Sequence, residues 1–410
     1  GTSKKHPDGS MLDLLRWIGG LILFTPMMLF AIPTFPTVME KIYYGRDELE
    51  LVRYRRQWVP ILISFLLLVP DILLLKSDEE RTTELLWKIA VVWIYIAVPF
   101  IVCMCRPAAK LPLDTGDLVT VLLIACPVIA SYYTDSLPDP QIKIRDGWPR
   151  ISTIQITAVN CALCVFNGLR PLKDFGYTVI WNCGDILRFL TGLIVAAAIL
   201  LPIGYATSSF EKAAHPNAGL AIAQLLTVFV VYSLPQEILF RGIIQNLLHS
   251  RLESNADITK YTSQKDNKGA LSMREWPNYS AVDGKEGGES PDEEDNNLFY
   301  ESDIARRNPE TFQDIHQEFY KRGVCCWLTL PTIRDWIALI ISSFIYAFSL
   351  MDHRHWDNNG GVAFTTLLIL GMVCGYTWRQ TSKVTTSAAV HAFVTYVGIY
   401  ILKADMRATI

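Results

Sequence analysis

A carboxylate and a guanidinium lie four residues apart inside an apolar stretch of this chain. Glu237 and Arg241 belong to the segment 233–242, which reads Ser-Leu-Pro-Gln-Glu-Ile-Leu-Phe-Arg-Gly. Residues at i and i+4 share one face of a helix, so these two charges can neutralise each other. Ionisable residues at membrane depth are rare, pair with one another, and face a bundle interior or a water-filled cavity. The pair therefore predicts a site, provided that the chain spans a membrane.

The composition indicates a membrane protein. The chain has 410 residues, of which 51% are hydrophobic, and its charges are sparse inside the long apolar runs. A spanning helix needs about 20 mostly apolar residues, and open strands cannot satisfy their backbone in lipid. We therefore predict an all-α, polytopic transmembrane bundle of about eight to ten spans. The predicted runs are 12–32, 57–75, 85–105, 117–134, 186–204, 219–248, 333–351, 361–378 and 386–402.

The predicted spans group into four regions. Residues 1–150 form amino-terminal transmembrane helices, and a core follows in two parts, 151–250 and 326–410. Between these parts, residues 251–325 are rich in polar and charged side chains and cannot bury enough apolar surface to fold alone, which predicts a largely disordered insertion. The stretch 151–166 is apolar but dotted with polar groups. It is either a further span packed inside the bundle or an interfacial segment.

Two more polar clusters interrupt the carboxyl-terminal half. One is Asp352-His353-Arg354-His355, at the end of the run 333–351, and the other contains His391. At about 1.5 Å per residue, Glu237 and His391 lie at similar depths measured from the insertion, so they can meet in one half of the membrane. The first cluster lies deeper and can close the site from the middle or from the far side.

At these positions the chain resembles the CAAX protease and bacteriocin-processing (CPBP) family. Residues 236–242 resemble its Glu-Glu-x-x-x-Arg motif, and residues 348–355 resemble its Phe-x-x-x-His motif. The His-x-His feature of the latter is typical of the type II CAAX prenyl endopeptidases of eukaryotes. Residues 391–395 resemble the third motif, His-x-x-x-Asn. The resemblance covers roughly residues 170–403.

The resemblance implies intramembrane proteolysis of the glutamate type, in which the first Glu of the pair activates water with help from a His. Another His and the Asn stabilise the oxyanion. This chain departs from the family at each motif. Gln236 replaces the first Glu, Asp352 falls on the His of the second motif unless the register shifts to His353, and Thr395 replaces the Asn.

By this resemblance we expect an acid–base pair of Glu237 and His391, with Arg241 orienting Glu237 and with His353 as a further catalytic group. We expect Gln236, Asp352, His355 and Thr395 to contact substrate. By the same resemblance we expect the substrate to be a prenylated peptide or another lipophilic molecule, the partner to be the lipid bilayer, and the location to be the endoplasmic reticulum.

Other functions stay open. The same polar groups suit isomerisation or cyclisation of a small lipophilic metabolite, because proton transfer on such a molecule uses the same acid–base groups. The chain could also be a non-catalytic pseudoprotease that scaffolds a partner, with Glu237 and Arg241 as a structural ion pair. A transporter ranks last, since no paired inverted repeats are visible.

We expect no metal or other cofactor. Glu237, His353, His355 and His391 offer oxygen and nitrogen ligands, but no helix has His-Glu-x-x-His spacing and Arg241 would repel a cation. The sequence contains no glycine-rich phosphate loop. It also contains no pattern of basic and aromatic residues that would indicate nucleic acid as a partner.

Overall fold

The computed structural model describes residues 9–44, 49–78, 82–105, 115–133, 139, 141–143, 150–170, 172, 175–207, 218–253, 331–351 and 360–402. The chain divides into two units, of which one is Gly1–Asn255 with Thr332–Ile410 and the other is Ala256–Pro331. All elements described below belong to the first unit. Nearly all of the polar insertion predicted at 251–325 lies outside the described residues.

The amino-terminal half is built of helices. They are α1 (Gly9–Phe30), α2 (Thr34–Tyr44), α3 (Leu49–Asp78), α4 (Thr82–Met104) and α5 (Thr115–Tyr133). Pro33 lies in the break between α1 and α2, and the residue before a proline is disfavoured in the helical region. The two helices accordingly meet at an angle of 91°.

One short antiparallel pair of strands follows. Strand β1 (Gln141–Lys143) pairs with β2 (Arg150–Ser152) in the register Ile142 opposite Ile151. This pair is a small departure from the predicted all-α fold, and the side chain of Ser152 then caps the next helix by accepting a hydrogen bond from the backbone N–H of Gln155.

The second half is again helical. Its elements are α6 (Thr153–Leu163, continued by a π-helical turn over Cys164–Leu169), α7 (Cys183–Ala206), α8 (Gly219–Glu253), α9 (Ile333–Ser349), α10 (Gly360–Thr381) and α11 (Val384–Tyr396, continued by a π-helical turn over Val397–Ile401).

The predicted membrane bundle is confirmed, but the predicted count of eight to ten spans is not. Five described helices are long and apolar enough to cross a membrane, or six if α1 and α2 form one bent span. The five are Gln57–Lys76, Glu84–Met104, Cys183–Ala206, Gly219–Glu253 and Gly360–Thr381. Other apolar helices are shorter than 18 residues, and they are Thr115–Val128, Thr153–Leu169 and Val384–Tyr400.

Helix α6 lies in the interior of the amino-terminal bundle. All of its residues are buried, and it packs against α1, α3, α4 and α5. The Asn160 side chain donates to the Leu23 carbonyl at 2.7 Å, and the Thr157 hydroxyl contacts both carboxylate oxygens of Asp71 at 3.1 and 3.2 Å. Of the two alternatives for the stretch 151–166, the structure therefore favours a helix packed inside the bundle.

Three contacts hold the starts of α7 and α11 in place. Asn182 caps α7, because its side chain accepts from the Asp185 backbone N–H while the Asp185 side chain accepts from the Asn182 backbone N–H. Lys383 Nζ lies 2.5 Å from the Asp185 carboxylate. Gly176 has a φ of 64°, which only glycine adopts readily, and its carbonyl accepts from the Val384 N–H at 3.0 Å.

Candidate functional site

Glu237 and Arg241 lie where α8 departs from regular α-helical geometry. π-Helical turns over Val228–Ser233 and Ile238–Gln245 flank a single α-helical turn, Leu234–Glu237. Pro235 in this turn has no backbone N–H, so it cannot make the hydrogen bond of a regular helix. π-Helical turns occur frequently at functional sites. They also change the direction in which successive side chains leave the helix.

Helix α11 brings His391 to Glu237. His391 Nδ1 lies 3.1 Å from Glu237 Oε1, and both side chains are buried. A carboxylate only accepts hydrogen bonds, so Nδ1 carries the shared proton. The second ring nitrogen, Nε2, lies 3.1 Å from the hydroxyl oxygen of Tyr346 on α9. The carboxylate, the imidazole and the phenol thus form a continuous hydrogen-bonded chain across three helices.

The second oxygen of Glu237 has two partners of its own. The Ser387 hydroxyl on α11 is in hydrogen-bond contact with Oε2, and it also lies 2.9 Å from the Cys374 carbonyl on α10. Arg241 Nε lies 3.3 Å from the same oxygen. The carboxylate is therefore held on both oxygens by partners from its own helix and from α11.

Arg241 is a fully buried guanidinium in this cluster. Its Nη1 donates to the Ser342 hydroxyl at 3.1 Å, and its carbon Cζ lies 5.3 Å from the centre of the Tyr346 ring, a cation–π contact. Its Nη2 has no hydrogen-bond partner among the described residues. A Cβ added at Gly371 would lie 3.2 Å from that nitrogen, so the absence of a side chain at 371 gives the guanidinium its space.

The network continues from Arg241 to α10. The Ser342 hydroxyl contacts Gln245 Oε1 at 3.3 Å, and Gln245 Nε2 donates to the Gly375 carbonyl at 3.3 Å. Helices α8, α9, α10 and α11 are thereby joined by buried polar contacts. Buried hydrogen bonds between helices hold the packing around them in one arrangement.

A cavity lies beside this cluster. It is lined by residues of α5, α6, α8 and α9 and by Leu350; the empty volume is about 720 Å³, including the open space at its mouth. Its polar lining side chains are Gln155, Gln236 and Ser349, and the rest are apolar. Glu237, Arg241 and His391 are not among the described residues that line it, so Gln236 faces the cavity while its neighbour Glu237 faces the buried cluster.

Of the residues predicted from the sequence, the structure brings together Glu237, Arg241 and His391. Gln236 lies in the cavity wall, and Thr395 is buried on α11 one turn beyond His391. The predicted residues Asp352, His353 and His355 lie outside the described residues.

The sequence analysis missed Tyr346, Ser342 and Ser387. Ser387 precedes His391 by four residues, and Ser342 precedes Tyr346 by four, so each pair shares a helix face. That spacing was a usable signal, but Tyr and Ser occur so widely in apolar helices that spacing alone does not select them. Gln155 was visible only as one of several polar residues in the stretch 151–166.

No group of three or more His, Cys, Asp or Glu that could hold a metal occurs among the described residues. The expected absence of a metal remains a prediction, because His353 and His355 lie outside this part of the chain.

A comparison with protein-family models finds a match over part of the chain. Residues 311–397 match the family model described as type II CAAX prenyl endopeptidase Rce1-like. The matched segment includes Tyr346, Ser387, His391 and Thr395, whereas Glu237 and Arg241 precede it. Neither the curated proteins nor the solved structures yield a match to the chain. The resemblance to the CPBP family is thus confirmed in the segment 311–397, which is similar to type II CAAX prenyl endopeptidases.

Proposed function

We propose that the protein is an intramembrane enzyme of the CPBP type that acts on a lipophilic or prenylated substrate, with Glu237 and His391 as its acid–base pair. The observation that carries this function is the buried hydrogen bond of 3.1 Å between Glu237 Oε1 and His391 Nδ1. The match of residues 311–397 to an endopeptidase family supports it independently.

Each residue of the pair has a distinct task. Glu237 orients the imidazole and stabilises its positive charge when it takes a proton, while Arg241 holds the carboxylate in place. Histidine is the side chain that enzymes use most often as a general acid or base, and His391 has that role in this proposal. General acid–base catalysis by a positioned side chain accelerates a reaction by roughly 10²–10⁴-fold.

The proton leaves the pair through Tyr346. Its hydroxyl is hydrogen-bonded to His391 Nε2, and its ring packs edge-on against Phe240, a residue of the cavity wall, with 5.2 Å between ring centres. A phenol both donates and accepts a hydrogen bond, so it can pass a proton between the imidazole and a bound molecule.

Gln236 faces the bound substrate. An amide cannot remove a proton from water, so Gln236 polarises or positions a substrate carbonyl and leaves acid–base work to His391. In this proposal His353 assists the acid–base pair, and Asp352, His355 and Thr395 contact substrate. The protein acts in the membrane of the endoplasmic reticulum.

A second candidate is non-proteolytic acid–base chemistry, such as isomerisation or cyclisation, on a small lipophilic metabolite. It is favoured by one observation, namely that the cavity carries the neutral amide of Gln236 at the position where the family has an acid. Chemistry of that kind needs a proton donor and acceptor but no activated water.

The test uses the full chain reconstituted in lipid vesicles with a farnesylated peptide that ends in a CAAX sequence. If the protein is a protease, we expect the unmodified chain to cleave the peptide. We expect the cleavage rate of Glu237→Gln to be lower by about 10²-fold or more. If only Gln236→Glu cleaves the peptide, the rest of the pocket is intact and the natural reaction is the non-proteolytic one.

The matched control is Gln380→Glu, which adds the same acid at a distant position of α10. If neither the unmodified chain nor Gln236→Glu cleaves, and Glu237→Gln leaves the cellular phenotype unchanged, the protein is a scaffold and the proposal is wrong.

A further inference from the structure

The loop from Thr178 to Trp181, just before α7, is tied to the start of α11. The Thr385 hydroxyl donates to the Thr178 carbonyl at 2.5 Å and accepts from the Trp181 indole N–H at 3.1 Å. Lys383 Nζ donates to the Ile180 carbonyl at 2.8 Å. Both ends of this short loop are therefore held in one position against the bundle.

The two middle residues of the loop expose apolar side chains. Val179 and Ile180 are 64% and 62% exposed. Because the contacts of Thr178 and Trp181 hold the backbone on both sides, these two side chains are kept on the outer surface. Exposing large apolar side chains to water is unfavourable, so this pair indicates that an apolar medium covers this part of the surface.

Helix α7, which follows the loop, identifies that medium as lipid. It is long and apolar enough to cross a membrane, and Ile186, Leu190 and Ile194 lie on one face of it with exposed side chains. Exposed apolar side chains thus begin in the loop and continue into the span. The loop ends in Trp181, and tryptophan is enriched at the boundary between membrane and water.

Helix α2 is a second element at this level. The Tyr177 hydroxyl donates to the Met27 carbonyl at 2.9 Å, so the end of α1 lies beside the loop, and α2 leaves it at an angle of 91°. Val38 and Ile42 on α2 are one turn apart and exposed. A helix at right angles to the spanning direction runs along the membrane surface, where its apolar side chains enter the bilayer.

From these features we propose that the 178–181 loop and α2 form a lipid-binding anchor, in which Val179, Ile180, Val38 and Ile42 enter the outer part of the acyl-chain region. This inference goes beyond the proposed function. The loop is tied to the start of α11, and His391 lies seven residues after Val384, the first residue of that helix. Seven residues span about 10 Å of helix, so the anchor fixes the depth of His391 below the membrane surface.

The experiment places the environment-sensitive fluorophore dansylalanine in place of Ile180, Ile42 or Leu190 in the full chain, in lipid nanodiscs. The nanodisc lipid carries bromine, a contact quencher, either near the carboxyl end or near the middle of its acyl chain. At positions 180 and 42 we expect about twofold or more stronger quenching by the shallow bromine than by the deep one. Leu190, about 10 Å further along α7, is the matched reference and should show the reverse preference.

Iodide in the aqueous phase is the opposing quencher, and thermal unfolding verifies that each labelled chain is folded. Quenching by iodide but by neither lipid, at either anchor position, would place that element in water and overturn the inference. Blue-shifted emission that no quencher reaches would mean that protein covers the surface, which overturns it equally. Glu237→Gln should give the same depths as the unmodified chain, so a failure of catalysis is separate from a failure of the anchor.

Discussion

Glu237 on α8 and His391 on α11 are 154 residues apart in the sequence, yet their side chains share a hydrogen bond of 3.1 Å in the interior of the bundle. Neither helix by itself produces this contact. The packing of α11 against α8 creates it, and Ser387 contacts the same carboxylate from one turn earlier on α11. The two residues should therefore behave as one functional unit.

We expect Glu237→Gln and His391→Gln to be non-additive. Each single change should lower kcat/KM on the farnesylated peptide by roughly 10²–10⁴-fold, and the double variant should be no worse than the more severe single one. The physical reason is that the imidazole without its carboxylate loses both its orientation and the stabilisation of its charge. Kinetics of all three variants in lipid vesicles check this; losses that multiply in the double variant would contradict it.

Replacing Arg241 should destabilise the fold. Arg241→Leu leaves the Glu237 carboxylate buried without its cation, and removal of one partner from a buried pair costs about 3–5 kcal/mol of unfolding free energy. Unfolding in mild detergent measures the loss. The variant Arg241→Leu with Glu237→Gln removes both charges and should recover part of that stability.

Arg241→Lys should not restore full stability. A lysine keeps the charge but cannot contact the Glu237 carboxylate and the Ser342 hydroxyl with the fixed fork of a guanidinium. An unfolding midpoint equal to that of the unmodified chain would show that charge alone, rather than the geometry of these contacts, holds the cluster together.

Gly371→Ala should also be destabilising, although alanine is normally the better residue in a helix. The added Cβ would lie 3.0 Å from Tyr346 Cδ1, 3.1 Å from Ser343 Cβ and 3.2 Å from Arg241 Nη2. Crowding of a packed interior costs about 1–3 kcal/mol. Gly361→Ala, at the beginning of the same helix with nothing within 4 Å of the new Cβ, is the control. It should leave stability unchanged or slightly raised.

Tyr346→Phe separates chemistry from packing. The substitution keeps the aromatic ring that packs on Phe240 and lies under the Arg241 guanidinium, but it removes the hydroxyl at His391 Nε2. Stability should fall by only about 1 kcal/mol, the usual net worth of one hydrogen bond. If Tyr346 passes the proton, kcat should fall by about 10²-fold while KM changes little. An unchanged kcat would limit Tyr346 to a structural role.

Several features of this protein were determined by local sequence. The long apolar runs predicted a helical membrane bundle, because a helix alone satisfies its backbone within one segment in lipid. The pairing of Glu237 with Arg241 and the cap of Asn182 with Asp185 followed from spacings of four and three residues, which helix geometry converts directly into contacts. The similarity of residues 391–395 to the His-x-x-x-Asn motif likewise identified His391 as a candidate site residue.

Tertiary packing decided the rest. Nothing in the spacing along α8 shows that Gln236 faces the cavity and Glu237 the buried cluster, because that depends on which helices cover each face. The partners Tyr346 and Ser387, the burial of α6 and the contribution of α5 to the cavity also depend on contacts between distant segments. Apolar periodicity identifies the helices that bury a face, but only the fit of their side chains determines which helices meet and which polar groups share one site.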